Sequence, residues 1–320
     1  MLILEDLSAE VPDTNAFHWD LKEHSADDGK SVLMYGYNAC ENHEYLEQCG
    51  DYDRKIYFNN WAPCEFAQAR SPSHDALHRE KWFNEVYSIC PYTNKWLNSL
   101  NLGREYKDVF YPFHEALIPD SRDKEYDVIY HGGIHGMEHL ECLNAMRPFN
   151  YRYCTMTNHI NNLTMQCLPY ATNVNLHFKE KIDLIAQTKV SICYNLVHVN
   201  PEHVPCITSY DNWRDNEAFS EVGSWNVMPQ FKTRIHEAAI SKALNLVQRD
   251  SWNVIEKYYE PDTEFIYFEN SFDLSKKLKD ILGDWENYQA IVDSAYQKSL
   301  SYTTDNFIKN ISTPGGNNEL

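Results

Sequence analysis

Short apolar runs alternate with longer amphipathic stretches along the first third of the chain. Residues 31–37 (SVLMYGY) and 55–58 (KIYF) are predicted to form buried strands, because each run is bounded by polar or glycine-containing turns. Residues 73–87 place apolar side chains at helical spacing, residues 86–90 predict another strand, and residues 92–101 predict a helix. This alternation is typical of βαβ units.

The same alternation resumes after a charged, proline-containing linker. The predicted order is strand 127–130, a glycine turn, helix 137–147, strand 151–156, helix 175–187, strand 189–194, helix 229–246, strand 264–268, helix 273–282 and a long helical pattern over 285–311. We therefore predict an α/β protein with a first Rossmann-like domain over residues 1–120 and a second over 121–284, followed by a helix and mobile tail over 285–320. Because ligands of open α/β sheets bind at the carboxyl ends of the strands, two such domains would face a cleft.

The composition is that of a folded, acidic protein. The 320 residues are 43% hydrophobic and 14% aromatic, which supplies ample core. The net charge of −19 argues against nucleic acid or an anionic membrane surface as the main partner, because both require exposed cations. No apolar run has the length of a transmembrane helix, and the N-terminus lacks the basic segment of a signal peptide. We expect a cytoplasmic protein.

Neither the cysteines nor the histidines predict a metal site. Nine cysteines are scattered without a C-x-x-C pair, so we expect reduced, buried thiols. His131, His135 and His139 would share a helical face, but intervening glycines favour a turn there. The D-x-D letters of Asp51 and Asp53 precede a strand and are interpreted as a turn.

Two short motifs have the chemistry of a phosphate site. Arg234 and Glu237 are three residues apart at the start of an apolar-periodic run, so they lie on one face of a helix. A guanidinium binds phosphate oxygens bidentately, and a carboxylate accepts hydrogen bonds from sugar hydroxyls. Upstream, Gly132 and Gly133 join a predicted strand to a predicted helix, where backbone N–H groups can approach a diphosphate. A surface ion pair and a simple tight turn are the alternatives for the two motifs.

Four segments in order carry a family resemblance. They are D-V-I-Y-H-G-G, K-V-S-I-C-Y-N, R-I-H-E-A-A and Y-Y-E-P-D-T-E-F-I-Y-F-E-N-S-F-D-L. Residues 127–311 resemble the C-terminal half of two-domain (GT-B) glycosyltransferases with a group 1 type C-terminal domain, nearest the spore-maturation-protein (CgeB-like) group. The resemblance implies a nucleotide-sugar donor in the C-terminal domain, an acceptor in the N-terminal domain, and a last helix that crosses back to the N-terminal domain.

The resemblance also implies roles for individual residues. Arg234 would bind the donor diphosphate, Glu237 the ribose hydroxyls, and the Gly132-Gly133 loop would lie near the phosphates. Further donor-site candidates are placed at the ends of strands: Lys189, Asn195, Asn270 and Ser271. A solvated surface position is the alternative for Lys189.

The chain departs from the family pattern at three places. Ser241-Lys242 replaces a glycine after the helix, His236 replaces a phenylalanine, and an insertion spans about residues 197–228.

The catalytic base is expected in the N-terminal domain. Glu65 is the first candidate, because it follows a predicted strand and neighbouring aromatic residues can raise the pKa of a carboxyl group by desolvation. His43 is the second, since an imidazole needs little adjustment to act near neutral pH. His18 and Asp20 come third. For each of them a solvated or structurally bonded side chain is the alternative.

The sequence thus predicts a metal-independent glycosyltransferase that moves a hexosyl or pentosyl group to a glycan or protein acceptor. Its donor substrate would be a nucleotide-diphosphate sugar, with no further cofactor. Two alternatives stay open. One is a nucleotide-sugar epimerase or hydrolase of the same fold, and the other is a non-catalytic binding or scaffold protein.

Overall fold

The computed structural model describes most of the chain in two compact units. The described residues are 1–6, 21–36, 43–59, 83–89, 94, 98, 103–134, 136–157, 162–199, 220–222, 225–229, 231–250 and 252–312. The first unit comprises Met1–His114, Val197–Phe231 and Tyr302–Leu320, and the second comprises Glu115–Leu196 and Lys232–Ser301.

Strands and helices alternate in both units. The strands are β1 (Leu2–Asp6), β2 (Ser31–Gly36), β3 (Arg54–Asn59), β4 (Glu85–Ser88), β5 (Glu105–Asp108), β6 (Tyr126–His131), β7 (Tyr151–Thr155), β8 (Asn173–Val174), β9 (Thr188–Cys193), β10 (Leu196–Val199), β11 (Ser220–Val222), β12 (Trp225–Pro229), β13 (Leu244–Gln248) and β14 (Ile266–Phe268). The α-helices are α1 (His43–Cys49), α2 (Met137–Met146), α3 (Asn162–Cys167), α4 (Phe178–Ala186), α5 (Arg234–Ile240), α6 (Ser271–Gly283), α7 (Gln289–Ser299) and α8 (Thr304–Ser312). Short 3₁₀ turns cover Leu21–His24, Glu115–Leu117, Leu168–Tyr170, Val254–Lys257, Trp285–Tyr288 and Leu300–Tyr302.

The first unit is built on a parallel sheet in the order β1-β2-β3-β4-β5. Its interior strand β2 is apolar on both faces, with Val32, Leu33 and Met34 fully buried, as expected of a parallel strand covered on both sides. Helix α8 also belongs to this unit, where the Phe307 ring lies 4.8 Å from the Phe58 ring. The predicted strands at 31–37 and 55–58 are confirmed. Strand β1, formed by the apolar N-terminal residues, was not predicted.

Residues of the predicted insertion add a small sheet. Its three strands are ordered β10-β12-β11, and β11 pairs with β12 in antiparallel fashion.

The second unit contains a six-stranded sheet in the order β14-β13-β9-β6-β7-β8. Every neighbouring pair is parallel, so the carboxyl ends of all the strands meet at one edge. The two central strands, β9 and β6, are buried on both faces over their last four residues. Val128, Val190, Ile192 and Leu246 form the middle of this core.

One predicted element of the second unit is wrong. A single helix was expected over residues 229–246, but α5 ends at Ile240 and β13 begins at Leu244. Lys242 has a φ of 52°, which reverses the chain between them. The apolar residues of β13 are buried on both faces, and such a run matches a buried helix as well as a central strand when only periodicity is considered.

The α/β class with two parallel sheets is confirmed. The five described cysteines are free and buried, as predicted: Cys49, Cys142, Cys154, Cys167 and Cys193. Among the helices within the described ranges, none has both the length and the apolar character needed to cross a bilayer.

Candidate functional site

The carboxyl edge of the second sheet brings several predicted site residues together. Gly132 directly follows β6, Asn195 lies two residues after β9, and Asn270 lies two residues after β14. Helix α5, which begins at Arg234, supplies a guanidinium to the same edge beside Gly132. In open α/β sheets this is the edge at which ligands bind.

Arg234 lies against the turn that follows β6. A Cβ atom added to Gly132 would be 2.8 Å from Nη2 of Arg234 and 3.3 Å from its Cζ. Gly132 has a φ of 141°, a conformation that other residues rarely adopt. The absence of a side chain thus allows both the turn and the close approach of the guanidinium. The Tyr130 ring supports the guanidinium from 5.7 Å, and its hydroxyl donates to the carbonyl oxygen of Gly133 at 2.7 Å. The turn therefore places a fixed positive charge at the carboxyl edge of the sheet, beside Gly132, whose N–H donates to the carbonyl oxygen of Cys154 at 3.0 Å.

Glu237 is buried one helical turn after Arg234. Its Oε1 accepts hydrogen bonds from Nζ of Lys181 at 3.0 Å and from Oγ1 of Thr233 at 3.2 Å. Nζ of Lys181 is also 3.0 Å from Oε2. Burial acts to raise the pKa of Glu237, but Lys181 and the neighbouring His131 and Arg234 together hold it below its ordinary value. The carboxylate is therefore charged at neutral pH.

His131 ends strand β6 and faces the same carboxylate. Its Nδ1 is 3.5 Å from Oε2 of Glu237. Burial lowers the pKa of His131 to about 3, although Glu237 opposes the shift. The imidazole is therefore neutral above that pH, and the contact is a dipole–charge contact rather than an ion pair.

Asn195 joins the end of β9 to the segment before α5. Its Oδ1 accepts a hydrogen bond from the backbone N–H of Lys232 at 3.2 Å and lies 3.6 Å from the thiol of Cys193. Its Nδ2 is buried and has no hydrogen-bond partner among the described residues. An amide donor that is buried without a partner is suited to a polar ligand.

Three other predicted residues have structural partners. Lys189 lies near the amino end of β9, at the opposite end of the sheet from Gly132, with its Nζ 3.7 Å from Asp127. Asn270 is the N-cap of α6, where its Oδ1 accepts from the backbone N–H groups of residues 272 and 273 at 3.0 Å. Oγ of Ser271 donates to Glu141 at 3.1 Å. The structure therefore does not bring Lys189 to the Arg234 site.

The candidates for a catalytic base in the N-terminal region cannot be placed. Glu65, His18 and Asp20 lie outside the described residues, as do the aromatic neighbours of Glu65. The backbone of His43 begins α1, but its side chain is not described. Each of these residues stays a prediction.

Two residues of the site were not predicted as site residues. Lys181 sits in the middle of α4, fifty-six positions from its partner Glu237, and the sequence of that helix shows only an ordinary amphipathic lysine. In the sequence, His131 stands out only as one member of the series His131, His135 and His139. The described residues contain no cluster of three or more histidine, cysteine, aspartate or glutamate side chains arranged to hold a metal ion.

Comparison with known proteins finds a family match for part of the chain. Residues 210–312, which include Arg234 and Glu237, match the family profile described as "Glycosyl transferase-like". A search of curated proteins found no significant match.

Solved structures share the fold at low sequence identity. HepE of Anabaena, solved with UDP and glucose, is 11% identical with a TM-score of 0.55, and the match covers 88% of this chain and 76% of HepE. Sucrose-phosphate synthase of Thermosynechococcus elongatus is 10% identical with a TM-score of 0.58, over 88% of this chain and 72% of the synthase. The pneumococcal O-GlcNAc transferase GtfA, solved with UDP and GlcNAc, is 10% identical with a TM-score of 0.51. The match covers 89% of this chain and 56% of GtfA. This chain therefore has the fold of GT-B glycosyltransferases, and its residues 210–312 match a glycosyl transferase-like family.

Proposed function

We propose that this protein transfers a sugar from a nucleotide-diphosphate sugar to a glycan or protein acceptor. Within the glycosyltransferases, the motifs that carried the family resemblance still favour the CgeB-like group. The solved neighbours that share the fold include proteins crystallised with UDP-glucose and with UDP and GlcNAc. A UDP-hexose is therefore the first donor to test, and transfer of a hexosyl group the first reaction.

The contact between Arg234 and Gly132 carries the proposal. Transfer breaks the bond between the anomeric carbon and a diphosphate oxygen, so negative charge grows on the leaving diphosphate. A preorganised guanidinium at the carboxyl edge of the sheet stabilises that charge in the transition state. The Tyr130 ring and the Gly132 backbone restrict where the guanidinium can lie. In this proposal Arg234 supplies the charge that a metal ion supplies in other transferases, and no further cofactor takes part.

The acceptor hydroxyl must lose a proton during the transfer. We propose that this step belongs to the N-terminal region, with Glu65 and then His43 as the base. Asn195, Asn270 and Ser271 remain proposed donor-site residues. Lys189 was predicted with them, but it lies at the opposite end of the sheet from Gly132 and is used as a control.

Calorimetry with four nucleotides tests the proposal. UDP, GDP, ADP and dTDP are titrated into the wild-type chain, Arg234→Ala and the control Lys189→Ala. We expect one nucleotide to bind the wild type, Arg234→Ala to lose at least ten-fold in affinity, and Lys189→Ala to match the wild type, since Lys189 lies at the far end of β9. Equal affinity in Arg234→Ala and the wild type would contradict the proposed role of Arg234. Absence of binding by any nucleotide would favour the scaffold alternative.

A product assay separates transfer from the enzymatic alternatives. The protein is incubated with UDP-glucose or UDP-GlcNAc, with and without glycan and protein acceptors, and the free sugar and the UDP are quantified. Transfer predicts that UDP release depends on the acceptor. Release of free sugar in equal amounts without an acceptor identifies a hydrolase, and a new nucleotide sugar identifies an epimerase.

A further inference from the structure

His131, Glu237 and Lys181 form one buried polar group beside Arg234, which we call the Glu237 cluster. Nζ of Lys181 donates a hydrogen bond to Oε1 of Glu237. Oε2 is buried, and no described residue forms a hydrogen bond with it. Its polar neighbours are Nζ of Lys181 at 3.0 Å and Nδ1 of His131 at 3.5 Å.

The carboxylate also determines which nitrogen of His131 carries the proton. Nδ1 is the ring nitrogen that faces Oε2, at 3.5 Å. A proton on Nδ1 points at the negative charge, whereas a lone pair there would face it and be repelled. The neutral ring therefore holds its proton on Nδ1 and presents a lone pair at Nε2.

Nε2 is then a second buried acceptor without a partner. His131 is only 6% exposed, and its Nε2 has no hydrogen-bond partner among the described residues. A buried acceptor without a partner is costly, and a ligand that donates a hydrogen bond recovers that cost. A diphosphate offers oxygen atoms without protons at neutral pH, so it cannot be that donor. A hydroxyl group can.

We propose that His131 determines specificity at the donor site by accepting a hydrogen bond at Nε2 from a ribose hydroxyl of the nucleotide. His131 precedes Gly132, which lies against the guanidinium of Arg234. Within the nucleotide, the ribose is joined directly to the diphosphate, so its hydroxyls are the nucleotide's nearest hydrogen-bond donors to a diphosphate held there. This inference rests on the proposed function, because it presumes that the diphosphate binds at Arg234.

The role of Lys181 follows from the same geometry. It pairs with Oε1 and keeps Glu237 ionised, which fixes the charge that orients the His131 ring. Lys181 is thus a positioning residue that acts through Glu237 and His131.

Titration with deoxynucleotides tests the inference. UDP, 2′-deoxy-UDP, 3′-deoxy-UDP and UDP-glucose are titrated by calorimetry into the wild type, His131→Leu and His131→Gln. His139→Leu is the matched control, because His139 is equally buried in the same unit and its ring lies 4.0 Å from the Tyr194 ring. If the nucleotide screen identifies another base, the deoxy forms of that nucleotide replace those of UDP. Thermal unfolding confirms that each variant is folded.

We expect the wild type to bind UDP about ten-fold more tightly than one of the two deoxy forms. In His131→Leu the affinity for UDP falls about ten-fold while the affinity for that deoxy form changes less than two-fold. His131→Gln, which offers an amide oxygen near the position of Nε2, restores part of the preference. His139→Leu keeps the wild-type ratio.

The remaining outcomes overturn the inference in distinguishable ways. A UDP preference that is intact in His131→Leu excludes the residue from ribose recognition, while the proposed function stands. Equal losses for every ligand indicate a general disturbance of the site. A loss confined to UDP-glucose would place the hydrogen bond on the transferred sugar instead. Absence of binding by the wild type removes the proposed function together with this inference.

Discussion

The guanidinium of Arg234 occupies the space that a side chain on Gly132 would need, with only 2.8 Å between its Nη2 and a Cβ built on that glycine. Gly132→Ala would therefore displace Arg234 and also force alanine to a φ of 141°. We expect a stability loss of about 1–3 kcal/mol and at least a ten-fold loss in nucleotide affinity. Chemical denaturation and calorimetry measure the two effects.

Gly103→Ala separates strain from displacement. Gly103 also has a positive φ, 76°, but no atom of the described residues beyond its chain neighbours lies within 4 Å of an added Cβ. This control should lose stability and keep its nucleotide affinity. If Gly132→Ala also keeps its nucleotide affinity, nucleotide binding does not depend on the observed position of the Arg234 guanidinium.

The pair between Lys181 and Glu237 predicts a strong energetic coupling. Only 3% of the Glu237 side chain and 17% of the Lys181 side chain are exposed, so removing one partner leaves the other charge poorly solvated. We expect Lys181→Met to cost about 3–5 kcal/mol in unfolding free energy. The double variant with Glu237→Gln should cost clearly less than the sum of the single changes.

A more exposed ion pair, made by another residue of α4, calibrates that measurement. Arg122 lies 3.7 Å from Asp183, and their side chains are 46% and 32% exposed. Arg122→Met should therefore cost less than about 1 kcal/mol. Strict additivity in the Lys181–Glu237 cycle would show that the two groups do not interact as the distances indicate.

His236 predicts how the stability of the second unit depends on pH. It is fully buried, with Nδ1 2.7 Å from the hydroxyl oxygen of Tyr259, and burial lowers its pKa to about 3. The unfolded chain takes up a proton near pH 6.5. The stabilisation by the neutral ring is therefore fully present above pH 6.5 and is lost as the pH falls from 6.5 toward 3.

The slope of that loss is measurable by urea denaturation between pH 4 and 7. One such histidine contributes about 1.4 kcal/mol per pH unit in this window. His236→Gln retains a polar side chain but cannot titrate there, so its slope should be smaller by that amount. An unchanged slope would mean that His236 is protonated in the folded protein.

Asn270 has a structural function that a substitution can separate from donor binding. Its Oδ1 accepts hydrogen bonds from two backbone N–H groups at the start of α6. Asn270→Ala should therefore lower the free energy of unfolding by about 1 kcal/mol. Asn270→Ser keeps a capping oxygen and should lose less. If both variants and the wild type have equal nucleotide affinity, Asn270 caps α6 and does not bind the donor. A loss of affinity in both variants would support the donor-site prediction.

Some elements of the fold are predictable from local sequence and others are not. Strand β6, its glycine turn and α2 were predicted because strand, turn and helix follow each other locally. The helix expected over residues 229–246 was wrong, because full burial of β13 removes the polar face that would distinguish a strand. Lys189 was a reasonable phosphate ligand by proximity to a strand. It begins the predicted strand 189–194, so the sequence already places it at the amino end of that strand, and the parallel register shows that it lies level with Asp127.

Local sequence was sufficient for the alternation of strands and helices, for the glycine that the turn after β6 requires, and for the pairing of Arg234 with Glu237 on one helical face. These features depend on a few neighbouring residues. The partners of those residues come from distant parts of the chain: Gly132 against Arg234, Lys181 against Glu237, and His131 beside them. Such contacts arise when parallel strands and their crossover helices pack together. Burial then sets the charge state of each group, which its residue type alone does not specify.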